Sequence, residues 1–222
     1  MSGRQGPQAS VDMAPVVDVA LLFAVDSSGS ISNERLILQI EGYAAAVASP
    51  AFVAAVASLP LGRVALGYIA WSNHDRQQFL VPWQVVDGPR SAALWAHTLR
   101  TATHPGVGYT SISGAIDFCV GQLLAAPRAG RRLIDLSADG RNNDGRAVTA
   151  ARDAAVAAGI TINGLPMLDV EPDLDGYFHA EVVGGPDAFV MVAQDAATLA
   201  AAIRRKLLTE IAGVAGPRRR LV

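Results

Sequence analysis

The segment Asp26-Ser27-Ser28-Gly29-Ser30 places a carboxylate and two hydroxyls at i, i+2 and i+4, between the apolar run Val19–Val25 and a stretch of helical periodicity. In an extended turn that spacing sends the three side chains to one side. Gly29 between them permits a close backbone approach or a positive φ. A second segment, Gly108-Tyr109-Thr110-Ser111-Ile112-Ser113-Gly114, sets Thr110 at the opening of a helix. A third, Ser137-Ala138-Asp139-Gly140-Arg141-Asn142-Asn143-Asp144-Gly145, follows another apolar run. Asp26, Ser28, Ser30, Thr110 and Asp139 together form an all-oxygen donor set. Such hard donors suit Mg2+, Mn2+ or Ca2+ rather than zinc or copper, which favour nitrogen and sulfur. Two carboxylates among neutral hydroxyls leave an ion underneutralised, so one coordination position stays open to water or to an incoming carboxylate. The helix N-terminus behind the serines adds attraction for an anion.

These segments act together only if the fold carries them to one place. From Val16 onward, short apolar runs alternate with Ala-rich helical segments, the signature of βαβ units around a largely parallel sheet. Strands are predicted over 17–25, 62–71, 78–86, 132–137, 160–165 and 188–192. Helices are predicted over 32–48, 50–58, 91–103, 111–125, 147–158, about 176–183, and from the cap Asp195 to about Ile211. The expectation is therefore an α/β domain with a mostly parallel six-stranded sheet and helices on both faces. Only Ser72–Arg76 separates the second and third strands, too few residues for a crossover, so that pair must be antiparallel. Pro82 cannot donate to a ladder and places the third strand at the sheet edge. In such sheets ligands gather outside the carboxyl ends of the strands, where all three oxygen-rich segments fall.

At 222 residues and 51% apolar composition the chain fits one domain with a sizeable core. Residues 1–15 read as a disordered leader, 16–213 as the domain and 214–222 as a basic tail. Eighteen basic residues against twenty acidic ones argue against a phosphate-neutralising nucleic-acid binder. Cys119 is the single cysteine, which excludes an internal disulfide, and its apolar neighbours predict a buried thiol. His74, His97, His104 and His179 form no close pair, so a histidine metal site is not expected. No apolar run approaches the roughly 18 residues of a membrane span, and the first residues lack the apolar core of a secretory signal. The sequence as given reads as cytoplasmic; a chain whose signal peptide has been removed would be periplasmic or secreted.

The DxSxS turn, the Thr in GxT before a helix and the Asp-Gly after the fourth strand resemble the metal-ion-dependent adhesion site of von Willebrand factor A domains. All five motif positions match in order, and the resemblance runs from about Val17 to Ala212. It implies a Rossmann-like three-layer fold with one antiparallel edge strand. It also implies that Ser28, Ser30 and Thr110 touch a divalent ion directly, while Asp26 and Asp139 act largely through water. Partner proteins of the family usually supply a Glu or Asp as the final ligand. Trp71, Val81-Pro82-Trp83, Arg131 to Gly145 and Thr161 to Pro166 look similar to an uncharacterised bacterial branch of these domains.

Competing readings exist for each element. Asp26 and its serines would serve as an N-cap cluster in any protein, but three segments converging on one sheet edge favour the metal. Asn142-Asn143-Asp144-Gly145 fits no EF-hand frame and reads as a turn with Asx caps. Trp71, Trp83 and Trp95 have apolar neighbours and read as packing residues. His74 and Asp75 read as a polar turn. Asp135 sits in a buried strand with Arg63, Arg131 and Arg132 as candidate partners. The favoured function is a metal-dependent protein-binding module, not an enzyme. The alternative is a metal-dependent hydrolase or phosphotransferase using the same oxygens. Against it, no GxxxxGK[ST] or GxSxG motif occurs and no general base stands beside the serines.

Overall fold

The computed structural model describes residues 15–103 and 108–213. Residues 1–14 of the expected leader, the 214–222 tail and residues 104–107 of the loop before Gly108 lie outside the described residues. The chain runs β1 (Val17–Asp26), α1 (Asn33–Val47), α2 (Pro50–Ala57), β2 (Val64–Trp71), β3 (Gln77–Val86), α3 (Pro89–Thr101) and α4 (Ile112–Leu124). It continues as β4 (Ala129–Ala138), α5 (Val148–Ala157), β5 (Ile160–Pro166), α6 (Leu174–Tyr177), a π-helical turn (Phe178–Val182) and α7 (Ala196–Ala212).

The sheet order is β3-β2-β1-β4-β5. β1 pairs in parallel with β2 and β4, β4 in parallel with β5, and β3 antiparallel with β2 at the edge. The hairpin inferred from the short Ser72–Arg76 link and from Pro82 is thus present. β1 is buried on both faces, and its side chains alternate between two cores. Val19, Leu21, Phe23 and Val25 face α1, α2, α3 and α7. Ala20, Leu22 and Ala24 face α4, α5 and α6. Phe23 stacks at 4.9 Å on Tyr43 and 5.5 Å on Trp95. Helices therefore cover both faces, as the strand patterning requires.

The sixth strand does not form. Residues 188–192 run alongside β5: Gly164 N donates to Phe189 O (3.0 Å) and Met191 N to Gly164 O (2.9 Å). Ala193 N then donates to Pro166 O (3.0 Å), leaving only isolated bridges, Gly164–Val190 and Met167–Ala193. Pro166 has no N–H to complete the rung between them, and Asp187, at φ 57°, bends the chain just before it enters. Among the described residues the sheet is five-stranded, with one antiparallel pair.

Trp71 and Trp95 are fully buried, and Trp83 is half-buried against Phe79 at 6.0 Å. Cys119 is buried among apolar side chains, and burial pushes its thiol pKa up. Asp135 pairs with none of the three arginines but with Lys206 on α7, Nζ to Oδ1 2.7 Å. Arg132 is adjacent to Leu133 and strand alternation sends it to the other face. Arg131 instead donates to the carbonyls of Glu210 (2.9 Å) and Ile211 (2.7 Å), satisfying the open end of α7. Among the described residues no single helix is long and apolar enough to cross a membrane.

Candidate metal centre

The three oxygen-rich segments meet at one rim, beyond the carboxyl ends of β1 and β4. Asp26, the last residue of β1, is buried, and its Oδ1 accepts the Ser28 N–H at 2.7 Å. That bond folds the DxSxS turn so that Ser28 Oγ and Ser30 Oγ lie 3.2 Å apart. Thr110 Oγ1 donates to Ser28 Oγ at 3.2 Å, and Ser30 Oγ donates to Asp139 Oδ1 at 2.7 Å. All five residues singled out in the sequence are thus in one contiguous hydrogen-bonded cluster, although 109 positions separate Ser30 from Asp139. Asp26, Ser28, Thr110 and Asp139 are buried, whereas Ser30 opens to solvent. The cluster is therefore reachable from one side.

Two glycines make the approach possible. Gly29 N donates to Gly108 O at 3.0 Å, and a Cβ on Gly29 would stand 3.2 Å from that oxygen. Gly108 itself has φ +123°, and a Cβ there would fall 1.9 Å from Asn73 Oδ1. Of the two possibilities the sequence left open for Gly29, the structure selects close approach.

The Asn142–Gly145 turn fastens the Thr110 segment. Asn143 Oδ1 accepts Thr110 N–H (2.8 Å), while Asn143 N donates to Thr110 O (2.9 Å). Asn142 Oδ1 accepts Ser113 N–H at 3.0 Å, in the first turn of α4. Asp144 Oδ2 accepts both the backbone N–H of His74 (2.7 Å) and its Nδ1 (3.0 Å), tying the β2–β3 turn to the same frame. Those bonds to His74 hold the Asp144 carboxyl below its usual range and raise the His74 imidazole above its own. An open cleft of about 330 Å3 is lined by His74, Gln77, Ser113, Gly145 and Arg146, and by none of the five clustered residues.

Sequence reading missed Arg35, in the first turn of α1. Its Nη1 donates to Asp139 Oδ2 at 3.0 Å, and its Nη2 pairs with Asp169 in the segment after β5. A residue one helical turn past a DxSxS motif faces the rim because Ser32 caps α1 there, its Oγ accepting Arg35 N–H at 3.2 Å. Gln39 was missed as well. It links Asp26 O to Ser137 Oγ, both at 3.3 Å, buttressing the ends of β1 and β4.

Electrostatically the cluster lacks positive charge at its centre. Burial drives the Asp26 carboxyl up to about 7, against the Ser28 hydrogen bonds that favour its ionised form; the charge of Asp139 pushes in the same upward direction as burial. Its Oδ2 is buried and has no hydrogen-bond partner among the described residues. Arg35 reaches Asp139 at the rim and not Asp26. A buried carboxylate oxygen without a partner, beside three converging hydroxyls, matches what a hard divalent cation requires. Among the described residues no three His, Cys, Asp or Glu side chains gather into a metal cluster, so hydroxyls would have to supply most of any coordination here.

Residues 16–215 match the protein family described as "Protein of unknown function (DUF1194)". The chain belongs to this family. No curated protein matches it. Among solved structures, this DUF1194 member is similar to a von Willebrand factor type A protein from Catenulispora acidiphila, with a TM-score of 0.61 at 16% identity, over 88% of this chain and 43% of the other. It is similar to the vWF domain of the type V pili tip protein Mfa5 from Porphyromonas gingivalis, with a TM-score of 0.64 at 12% identity, over 92% and 99%. It is also similar to proximal thread matrix protein 1 of the mussel byssus, a structure described as having a zinc occupied MIDAS motif, with a TM-score of 0.63 at 13% identity, over 90% and 47%. The chain thus spans under half the length of the Catenulispora and mussel proteins. Likeness at these identities establishes the von Willebrand factor A fold.

Proposed function

We propose that this DUF1194 member is a divalent-metal-dependent protein-binding module. Ser28, Ser30 and Thr110 would hold the ion directly, with Asp26 and Asp139 supporting it, in the manner of a metal-ion-dependent adhesion site. The observation that carries this reading is the contact of three separate segments: Ser28 Oγ lies 3.2 Å from both Ser30 Oγ and Thr110 Oγ1, and Ser30 Oγ lies 2.7 Å from Asp139 Oδ1. The ion would supply the positive charge this centre lacks and attract an acidic side chain from a partner protein. Ser30 opens the cluster to solvent, and Tyr109, 65% exposed beside Thr110, offers that partner an aromatic contact. The occupied site described for the mussel protein supports the reading by analogy of fold. Mg2+ is the expected ion, with Mn2+ or Ca2+ compatible with the same donors.

Calorimetric titration with Mg2+, Mn2+ and Ca2+ tests it. Saturable binding to the chain, lost in Asp139→Ala and Ser28→Ala, is expected. Absence of heat and of any thermal shift with all three ions would end the proposal. Capture of an acidic partner should then depend on the ion and be reversed by chelator.

A further inference from the structure

On the helical face of the sheet formed by α1 and α7, a second polar cluster is sealed from solvent. Lys206, the only lysine in the chain, is fully buried. Its Nζ lies 2.7 Å from Asp135 Oδ1 on β4 and 2.6 Å from Glu210 Oε1, one turn further along α7. Asp135 is likewise at 0% exposure and Glu210 at 2%. Tyr43 donates its hydroxyl to Asp135 Oδ1 at 3.2 Å, and Asn163 Nδ2 donates to Glu210 Oε1 at 3.0 Å. The Phe189 ring covers the amine, 5.8 Å from its centroid. Asp135 Oδ2 and Glu210 Oε2 are buried with no hydrogen-bond partner among the described residues.

A lone cation between two carboxyls cannot balance both. Burial drives the Glu210 carboxyl up to about 8, with the charge of Asp135 adding to the effect and Lys206 opposing it, which favours the protonated acid. The remaining Lys206–Asp135 ion pair still bears the desolvation cost of two fully buried charges. An amine, a carboxyl and a protonated acid are thus held in contact in a water-poor core. We propose that Lys206 and Asp135 are joined by an isopeptide bond, formed by the folded chain itself.

The step balances without any oxidant or co-reactant. The ammonium proton passes to the Asp135 carboxylate, giving a neutral amine and a neutral acid. Lys206 Nζ attacks Asp135 Cγ, and the N–Cγ bond forms. The Tyr43 hydroxyl is placed to stabilise the oxygen that gains negative charge. Glu210 protonates the departing oxygen and recovers a proton from the nitrogen. The Cγ–O bond breaks, one water leaves, and two buried charges become a neutral amide. Fixed contact between the reacting groups supplies the effective concentration. The product would lock α7 to the centre of the sheet across the 71 positions between residues 135 and 206.

The test is the intact mass of the full chain under denaturing conditions, allowing for the initiator methionine. The expected value is lighter than the sequence mass by one water. Arginine-specific digestion should yield a branched peptide joining residues 133–141 to the segment that begins at Lys206. Glu210→Gln, which preserves shape but cannot relay the proton, should stay folded and show the full sequence mass, as should Lys206→Arg. Full mass in cooperatively melting wild-type chain would mean an ion pair only and overturn the proposal. So would a water loss mapped to Glu210 instead of Asp135. If either variant fails to fold, the wild-type mass and branched peptide decide alone.

Discussion

Replacing Thr110 with Val separates the proposed coordination role of its hydroxyl from any part it plays in the fold. Val keeps the branched shape and restricted χ1 of Thr and removes only the oxygen. The segment is held by its backbone, through Thr110 N to Asn143 Oδ1 (2.8 Å) and Asn143 N to Thr110 O (2.9 Å), and both bonds survive. What is lost is a 3.2 Å hydrogen bond to Ser28 Oγ, which retains Ser30 Oγ as a neighbour. A net contribution of about 0.5–1.5 kcal/mol is expected for such a bond, so the metal-free variant should remain folded. Metal affinity should fall much further. Loss of supporting groups around metals costs roughly 10–100-fold, and loss of one of three direct oxygens should reach about 100-fold. At a free ion concentration about 100 times the wild-type Kd, binding adds about 2.7 kcal/mol to stability. For a chain of this size that raises Tm by roughly 5–10 °C. At the same concentration the variant would gain about 0.4 kcal/mol, a shift of roughly 1 °C. Differential scanning fluorimetry with and without Mg2+ or Mn2+, beside calorimetry, reads both quantities. A variant that retains the full metal-induced shift refutes Thr110 as a ligand. One that fails to fold without metal refutes the separation of roles.

Arg35→Gln removes a cation that shares Asp139 with the proposed ion. The two cations repel across the carboxylate they share, so divalent affinity should rise roughly several-fold by calorimetry. Phe23→Ala empties a fully buried site between Tyr43 and Trp95, and urea unfolding should show a loss of about 3–5 kcal/mol with an unchanged fold. His74, raised above its usual 6.5 by Asp144, should titrate above that value by NMR and return to it in Asp144→Asn. The sign follows from both partners. The ion pair is complete below the ordinary histidine value and fades as pH rises through the raised His74 pKa. It also fades as pH falls through the depressed Asp144 pKa, so it is strongest in the mildly acidic window between them.

The sequence by itself determined the layered α/β architecture, the antiparallel edge and the residue types available to the oxygen cluster. Those properties are local. The period of apolar residues sets each element, the five-residue link forbids a crossover, and parallel pairing of β1 and β4 sends the turns that follow them to the same rim. Tertiary packing decided what depends on distance in space. The sixth strand fails because Pro166 on its neighbour has no N–H to offer, a pairing invisible until the two segments are side by side. Arg35 reaches Asp139 only because α1 starts at the rim, and the Asn142–Gly145 turn gains its purpose only where it meets Thr110. Asp135 draws Lys206 from a helix 71 positions away, and not an arginine beside it, because strand alternation turns Arg132 to the other face, while Arg131 is engaged by the carbonyls at the end of α7. Residue type fixes what a side chain can do; burial and neighbours from distant parts of the chain fix whether it does it.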